Sequence, residues 1–337
     1  MPPLYGVRME KLRIGILGAA RIAPAAVVGP AHRLEDVEVT VVAARDGDRA
    51  RAFAGRHGIP RSVGSYQAVL EDPTVDAVYN PLPNGLHGRW TLAALAAGKH
   101  VLCEKPFTAD ASEARQVAEA AEVSGLVVME AFHYRYHPLF ARVLAIVASG
   151  EIGTVEHIDA AMCFPLPRPS DIRWQLELAG GATMDAGCYA IHMLRHLAGD
   201  EPRVVTARAK LARPGVDRAM RADFVLPGSR TGRITASMLS SDILKMSARV
   251  RGDRGAIRVF NPVAPQFLHR LSVRTGTTRR SEQVTHDPTY LFQLQAFRDA
   301  VRSGGPVITG PADSVANMEV IDACYRAAGM EPRRPTV

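Results

Sequence analysis

Two short segments of this 337-residue sequence carry side chains able to move a proton. One is Cys103-Glu104-Lys105-Pro106, which ends an apolar β-type run beginning at His100. A lysine at the carboxyl end of a parallel strand stands where α/β sheets bind their ligands, and Pro106 fixes the backbone path beside it. Taken alone, Glu104-Lys105-Pro106 reads rather as a surface Glu-Lys pair ahead of a helix. The other segment follows Gly180-Gly181, where Asp185, Tyr189, His192 and His196 recur at i, i+4, i+7 and i+11 on one helical face. The remaining positions of that helix are apolar (Ala186, Cys188, Ala190, Ile191, Leu194, Leu197), so it reads as buried. Polar groups on a buried helix need partners. A cleft would supply them; a solvated stripe on a surface helix is the alternative.

A third segment, Gly15-Ile16-Leu17-Gly18-Ala19-Ala20-Arg21-Ile22-Ala23, closes the first strand pattern and opens a helical one. That is the context of a dinucleotide fingerprint. Gly18 fills the tight-turn position, and Ala20 and Ala23 stand where two further glycines usually sit. Ala23 meets the need for a small residue, whereas the Ala20 methyl crowds the approach of backbone to pyrophosphate. Gly18, Ala20, Arg21 and Ile22 would hold a diphosphate at the helix N-terminus, although a structural glycine turn accounts for the motif by itself. Ala44-Arg45-Asp46 ends the second strand pattern. An acidic residue there holds ribose hydroxyls, and an arginine accommodates a 2′-phosphate. Arg45 comes first and Asp46 reads as the start of the next turn, so the order favours NADP(H) while leaving NAD(H) possible. Asn80-Pro81-Leu82-Pro83-Asn84-Gly85-Leu86-His87 follows another strand pattern. Pro81 and Leu82 would shape the cofactor's path, with Asn84 and His87 offering hydrogen bonds.

These segments need a scaffold, and the first 130 or so residues alternate strand and helix patterns, which predicts repeated βαβ units and a doubly wound parallel sheet of Rossmann type. Beyond residue 132 the texture changes. Strand patterns fall over 154–163, 204–211, 218–226, 231–239, 246–251 and 256–260, separated by Pro/Gly turns and broken by the helix from Cys188. This predicts an α+β second domain with a large, mostly antiparallel open sheet, its C-terminal helices packing back toward the first domain. The expected division is 1–132, binding dinucleotide, and 133–337, binding substrate and forming oligomers.

With 47% hydrophobic and 22% charged residues the composition is that of a globular protein. The apolar runs are far shorter than the ~20 residues of a membrane-spanning helix. Residues 1–13 have no apolar core before Arg8, Glu10, Lys11 and Arg13, so no signal peptide is expected, and Met9 is an alternative start. Cys103, Cys163, Cys188 and Cys324 lie far apart, which argues against a metal knuckle or disulfide framework and suits a reducing cytoplasm. No metal is expected. The net charge of +7 comes from scattered arginines without a basic run, so a nucleic-acid partner is not expected. A modest positive field would instead favour a phosphorylated cofactor.

Taken together, the Gly18–Ala23 turn, Asn84…His87, Glu104-Lys105-Pro106 and Asp185…Tyr189 resemble the glucose–fructose oxidoreductase / inositol dehydrogenase / MocA family in order and approximate spacing. Residues 129–138 look like the family's domain crossover, with Arg135 bordering the active cleft. Tyr189, where many members carry histidine, looks like the branch that contains dimeric dihydrodiol dehydrogenase. The resemblance implies hydride exchange between a nicotinamide and a carbinol or carbonyl carbon of a sugar, cyclitol or polyol. It places Lys105, Asp185 and Tyr189 around the reacting carbon. Within that reading Glu104 and Lys105 also border the cofactor, Trp174 with Arg173 could face a sugar (a core position for Trp174 being an equal alternative), and His192 could bond the substrate. A Lys105 ammonium would lower the Tyr189 pKa toward neutrality. A homodimer or homotetramer would cover the open sheet. An NAD-dependent glycosidase and a non-catalytic nicotinamide-binding regulator are the two alternatives within the superfamily.

Overall fold

The computed structural model describes residues 11–304 and 307–336; Met9 and the rest of the first ten residues lie outside the described residues. The β-branched and aliphatic runs that begin the chain form strands because their side chains can be buried on both faces of a covered sheet. Six strands, β1 (Leu12–Leu17), β2 (Val37–Ala43), β3 (Arg61–Val63), β4 (Ala77–Asn80), β5 (His100–Cys103) and β6 (Val128–Glu130), pair in parallel in the order β3-β2-β1-β4-β5-β6. The reversal between β1 and β4 is the switch point where such sheets bind ligands. Alternate side chains divide between two cores. Ile14, Ile16, Val42, Tyr79 and Leu102 face one, and Leu17, Val41, Val78, Val101 and Cys103 face the other.

Local signals set several helix ends. Asp46 accepts from the amides of Asp48 and Arg49 at the start of Gly47–His57, and Asp110 accepts from Glu113 at the start of Ala111–Ser124. The helix expected from Ala20 is shorter than its pattern suggests. Pro24–Val28 is a wide π-type turn, closed by Gly29 N–H to the Pro24 carbonyl, and only Gly29–His32 is α-helical. Pro30 has no N–H to continue the α ladder, which explains the local widening.

The second sheet holds β7 (Val155–Cys163), β8 (Arg203–Arg213), β9 (Val216–Leu226), β10 (Arg230–Ser237), β11 (Lys245–Gly252), β12 (Gly255–Phe260), β13 (Arg270–Thr275) and β14 (Thr278–Glu282). Their order is β14-β13-β12-β11-β7-β10-β9-β8, and every pair is antiparallel except β7 with β10. Helix Cys188–Ala198 lies against β7 and β10. Helix Thr289–Ser303 buries Leu294 and Phe297 in the core behind β1 and β4, and Pro311–Ala327 packs on Ala111–Ser124.

Candidate active site

A cleft of about 1240 Å³ runs from the first glycine turn to helix Cys188–Ala198. Its lining toward the glycine turn holds Gly18, Ala20, Arg21, Ile22, Arg45, Pro81, Leu82, Asn84, His87 and Glu104, and its inner end holds Lys105, Asp185 and Tyr189. Gly18 adopts φ +111°, a region that side-chain-bearing residues rarely reach. The amides of Ala19, Arg21 and Ile22 have no protein acceptor among the described residues and are available to a diphosphate. The half-exposed Ala20 is therefore accommodated in the turn. Arg45 is exposed at the far end, while the Asp46 carboxylate is occupied in capping the next helix. These features fit a phosphorylated dinucleotide.

Not every predicted cofactor residue is free to bind. The His87 ring is buried, with Nδ1 2.7 Å from the Pro106 carbonyl and Nε2 2.7 Å from that of Leu82. It ties the loop after β4 to the turn after β5. Glu104 is likewise committed: Oε1 accepts from the Tyr79 hydroxyl at 2.8 Å and Oε2 from the Lys105 amide at 3.2 Å. Asn84 donates to the Ala179 carbonyl at 3.2 Å, joining the two halves of the molecule.

At the inner end the carboxyl terminus of β5 delivers Lys105, whose bond to Pro106 is cis. Asp185 sits in the π-type turn Thr183–Gly187, pinned where the Thr183 amide and hydroxyl both donate to Asp217 at 2.7 Å. Lys105 Nζ lies 2.8 Å from Asp185 Oδ1, donates also to the Asp185 carbonyl at 3.1 Å, and stands 5.0 Å from the Tyr189 ring centroid. Arg173 Nε reaches Asp185 Oδ2 at 2.8 Å, and Arg173 also pairs with Asp171 at 3.2 Å. Arg21, from the glycine turn, reaches the same Asp171 at 3.3 Å. A run of alternating charges thus crosses the cleft from the cofactor side to the lysine. Burial opposes the Lys105 ammonium, but Asp185 with Cys188 and Glu104 outweighs it, and the lysine pKa is raised. Burial likewise opposes the Asp185 carboxylate, which Lys105 and Arg173 nevertheless hold below its usual range.

The expected lowering of the Tyr189 pKa does not occur. Burial, reinforced by Tyr290, Glu104, Cys188 and Asp185, holds it well above 10. The reason is geometric: the Lys105 charge is matched by Asp185 and sits over the ring face. Tyr189 is a neutral phenol, and its hydroxyl meets His133 Nε2 at 3.2 Å. His133 Nδ1 in turn meets the Thr289 hydroxyl at 2.7 Å, and Tyr290 packs on the ring. The residues His133, Asp171 and Tyr290 had not been singled out. Only His133 carried a signal, its place in the crossover segment.

Three predicted substrate contacts are corrected. Trp174 is 3% exposed and packs with Ala182, Val216 and Met238, leaving its neighbour Arg173 to face the cleft. Arg135 lies over the Phe140 ring, away from the lining. His192 is fully buried beyond Tyr189 along the helix, between Tyr134 and Asp313.

Burial, aided by Lys105 and His137, pushes the His133 pKa from 6.5 down to about 3. The folded value lies below the unfolded one, so the contribution is complete above pH 6.5 and is lost as pH falls from there toward 3. By pH 5 roughly 2 kcal/mol of stability should be gone from this group. His133→Asn should flatten that acid limb in melting temperatures recorded between pH 7.5 and 4.5. An unchanged limb would assign the acid sensitivity to other groups.

The comparisons with known proteins agree with this architecture. Residues 12–132 match the family described as "Oxidoreductase family, NAD-binding Rossmann fold", and residues 140–258 match the GFO/IDH/MocA C-terminal domain. D-xylose 1-dehydrogenase (NADP(+)) 2 of Haloferax volcanii is 39% identical over 94% of this chain and 97% of its own length. The dTDP-3,4-didehydro-2,6-dideoxy-alpha-D-glucose 3-reductase of Actinomadura kijaniata is 34% identical over 94% and 96%. A solved structure of the 3-ketoreductase KijD10 from Actinomadura kijaniata, in complex with NADP and TDP-benzene, superposes with a TM-score of 0.88. It is 30% identical and covers 94% of this chain and 98% of that one. The chain belongs to the Gfo/Idh/MocA family and is an NAD(P)-binding oxidoreductase.

Proposed function

We propose that the protein is an NADP(H)-preferring dehydrogenase or reductase of a sugar, cyclitol or related polyol. The observation that carries the reading is the Lys105–Asp185–Tyr189 group at the inner end of the cleft that begins at Gly18. The xylose dehydrogenase and the dTDP-glucose-type reductase are named for sugar substrates, and the xylose dehydrogenase and the KijD10 structure are paired with NADP. When bound, the nicotinamide gives or takes a hydride. The chain's part is then to bind the substrate oxygen and manage one proton. A neutral Tyr189 is in the right state to donate its phenolic proton to an oxygen that gains charge as a carbonyl is reduced; alcohol oxidation would first need the phenol to lose that proton, which burial opposes. The Lys105 ammonium, largely buried at the inner end of the cleft, stabilises that charge. Asp185 and Arg173 orient the lysine and offer hydrogen bonds to neighbouring substrate hydroxyls.

Fluorescence titration with NADPH and NADH, then a sugar and polyol panel followed at the reduced-cofactor absorbance, tests the assignment. Net cofactor turnover supports it. Hydrolysis without net turnover would point to the NAD-dependent glycosidase, and tight binding without chemistry to the regulator. Arg45→Ala should weaken NADPH binding by roughly 10-fold or more, the value of a charge-assisted contact of 1.5–3 kcal/mol, while leaving NADH binding unchanged. Equal losses for both cofactors would remove Arg45 from the 2′-phosphate site.

A homodimer or homotetramer would cover the apolar groups standing out from the second sheet, among them Val205, Leu211 and Phe260. Light scattering on the purified chain measures it. Among the described residues no helix is long and apolar enough to cross a membrane. The four free cysteines suit a reducing compartment, and we propose the cytoplasm.

A further inference from the structure

The polar face of helix Cys188–Ala198 serves two places. Tyr189 faces the cleft; His192 and His196, further along the same helix, turn toward Asp313 in the first turn of Pro311–Ala327. We propose that His192, His196 and Asp313 form a binding site for one late first-row divalent cation, of which zinc is the representative.

The spacing supports this. His192 Nε2 lies 3.1 Å from His196 Nε2 and 3.0 Å from Asp313 Oδ2, and His196 Nε2 lies 3.2 Å from Asp313 Oδ1. Ligands bound at about 2.0–2.2 Å around a zinc ion are separated from one another by about 3–3.5 Å. As a hydrogen-bond network alone, the same group must turn two ring N–H bonds side by side toward one carboxylate. A cation replaces both protons. The histidines are four residues apart on one helix, which brings their rings to one spot, and the carboxylate comes from a second helix.

The surroundings are those of a ligating group. Tyr134 Oη, 2.6 Å from His192 Nδ1, can accept a hydrogen bond from the Nδ1–H tautomer, which leaves Nε2 for the ion, and Phe132 stacks on the ring at 4.0 Å. Arg195 Nη1 holds Asp313 Oδ1 at 2.9 Å, and Glu201 holds Arg195 through two bonds of 2.7 Å. Glu201 shares the Arg195 guanidinium, and Asp313 Oδ2, which Arg195 does not touch, is left to face a cation. His192 is closed off, but the His196 and Asp313 side chains are 19% and 15% exposed, which gives an ion a way in. Two imidazoles and one carboxylate favour zinc, nickel, cobalt or copper over the oxygen-seeking magnesium and calcium. A bound ion would join the helix that carries Tyr189 to the helix that covers Ala111–Ser124.

The test uses the full chain, stripped with chelator and titrated with zinc sulfate by calorimetry and with cobalt chloride by visible absorption. One equivalent of zinc, cobalt bands of a nitrogen–oxygen site and a raised melting temperature are expected. His196→Ala, lying outside the cleft, should weaken binding by more than the ~10–100-fold that loss of an outer-shell partner produces, and Tyr134→Phe should fall within that range. No stoichiometric binding, or one equivalent bound equally well by His196→Ala, overturns the site. Should His196→Ala lose its circular dichroism signal, His196→Gln is read by the same two criteria.

Discussion

Tyr189→Phe is expected to lower kcat by about 10²–10⁴-fold, the usual contribution of a positioned proton donor, and to leave NADPH affinity as it was. The phenol ring packs against Phe132 at 5.4 Å, a contact that phenylalanine keeps, so the loss reports the hydroxyl alone. Lys105→Met should lower kcat over a similar range and also raise the substrate KM. The lysine holds both Asp185 Oδ1 and the carbonyl above it, and without it the carboxylate keeps only Arg173. If the phenol is the acid, the wild-type reductive rate should show no tyrosine ionisation near neutrality, because burial keeps that group well above 10. Stopped-flow measurement of cofactor oxidation between pH 6 and 9, with cofactor binding measured separately, separates the roles. Turnover within a factor of a few of wild type in both variants would sink the assignment.

How far the sequence carries one toward this site depends on the range of the interaction. The parallel sheet was legible because its strands are buried on both faces and read as continuous apolar runs. Among the strands that escaped notice, β13 and β14 lie at a sheet edge and contain Arg270, Arg274, Arg279 and Arg280. With one side toward water they have no apolar run to read. Lys105, Asp185 and Tyr189 stood out because each is a polar group in an apolar setting. Assigning His192 to the substrate failed for a reason of length. A helix rises about 1.5 Å per residue, so sharing a face with Tyr189 still carries the ring several ångströms past the cleft. Trp174 and Arg173 could not be told apart, since which neighbour faces inward is set by a turn between two short 3₁₀ segments. The contacts that complete the site, Arg21 with Asp171 and His133 with Thr289, join residues 150 and 156 positions apart. No local pattern announces such a pair.

Arg333→Met should destabilise the second half of the molecule by about 3–5 kcal/mol, the cost of leaving one member of a buried ion pair alone. Arg333 and Asp217 have side chains 2% and 0% exposed and meet at 2.8 Å. Arg333 Nε donates to the Gly180 carbonyl at 2.7 Å, and the guanidinium stacks on Tyr325 at 4.2 Å. Asp217 keeps three other donors, the Thr183 amide and hydroxyl and the Tyr325 hydroxyl, so its charge is solvated in part without the arginine. Those donors are why the lower end of the range is the better expectation. Asp217→Asn should cost a similar amount, but the double variant should cost much less than the sum, because it leaves no unpaired charge. Urea unfolding of the three variants measures the difference. The same lesion reaches the chemistry, since Thr183 opens the turn that presents Asp185 to Lys105. A looser turn should raise the substrate KM before it changes cofactor affinity, and additive losses in the double variant would show that the pair is not coupled.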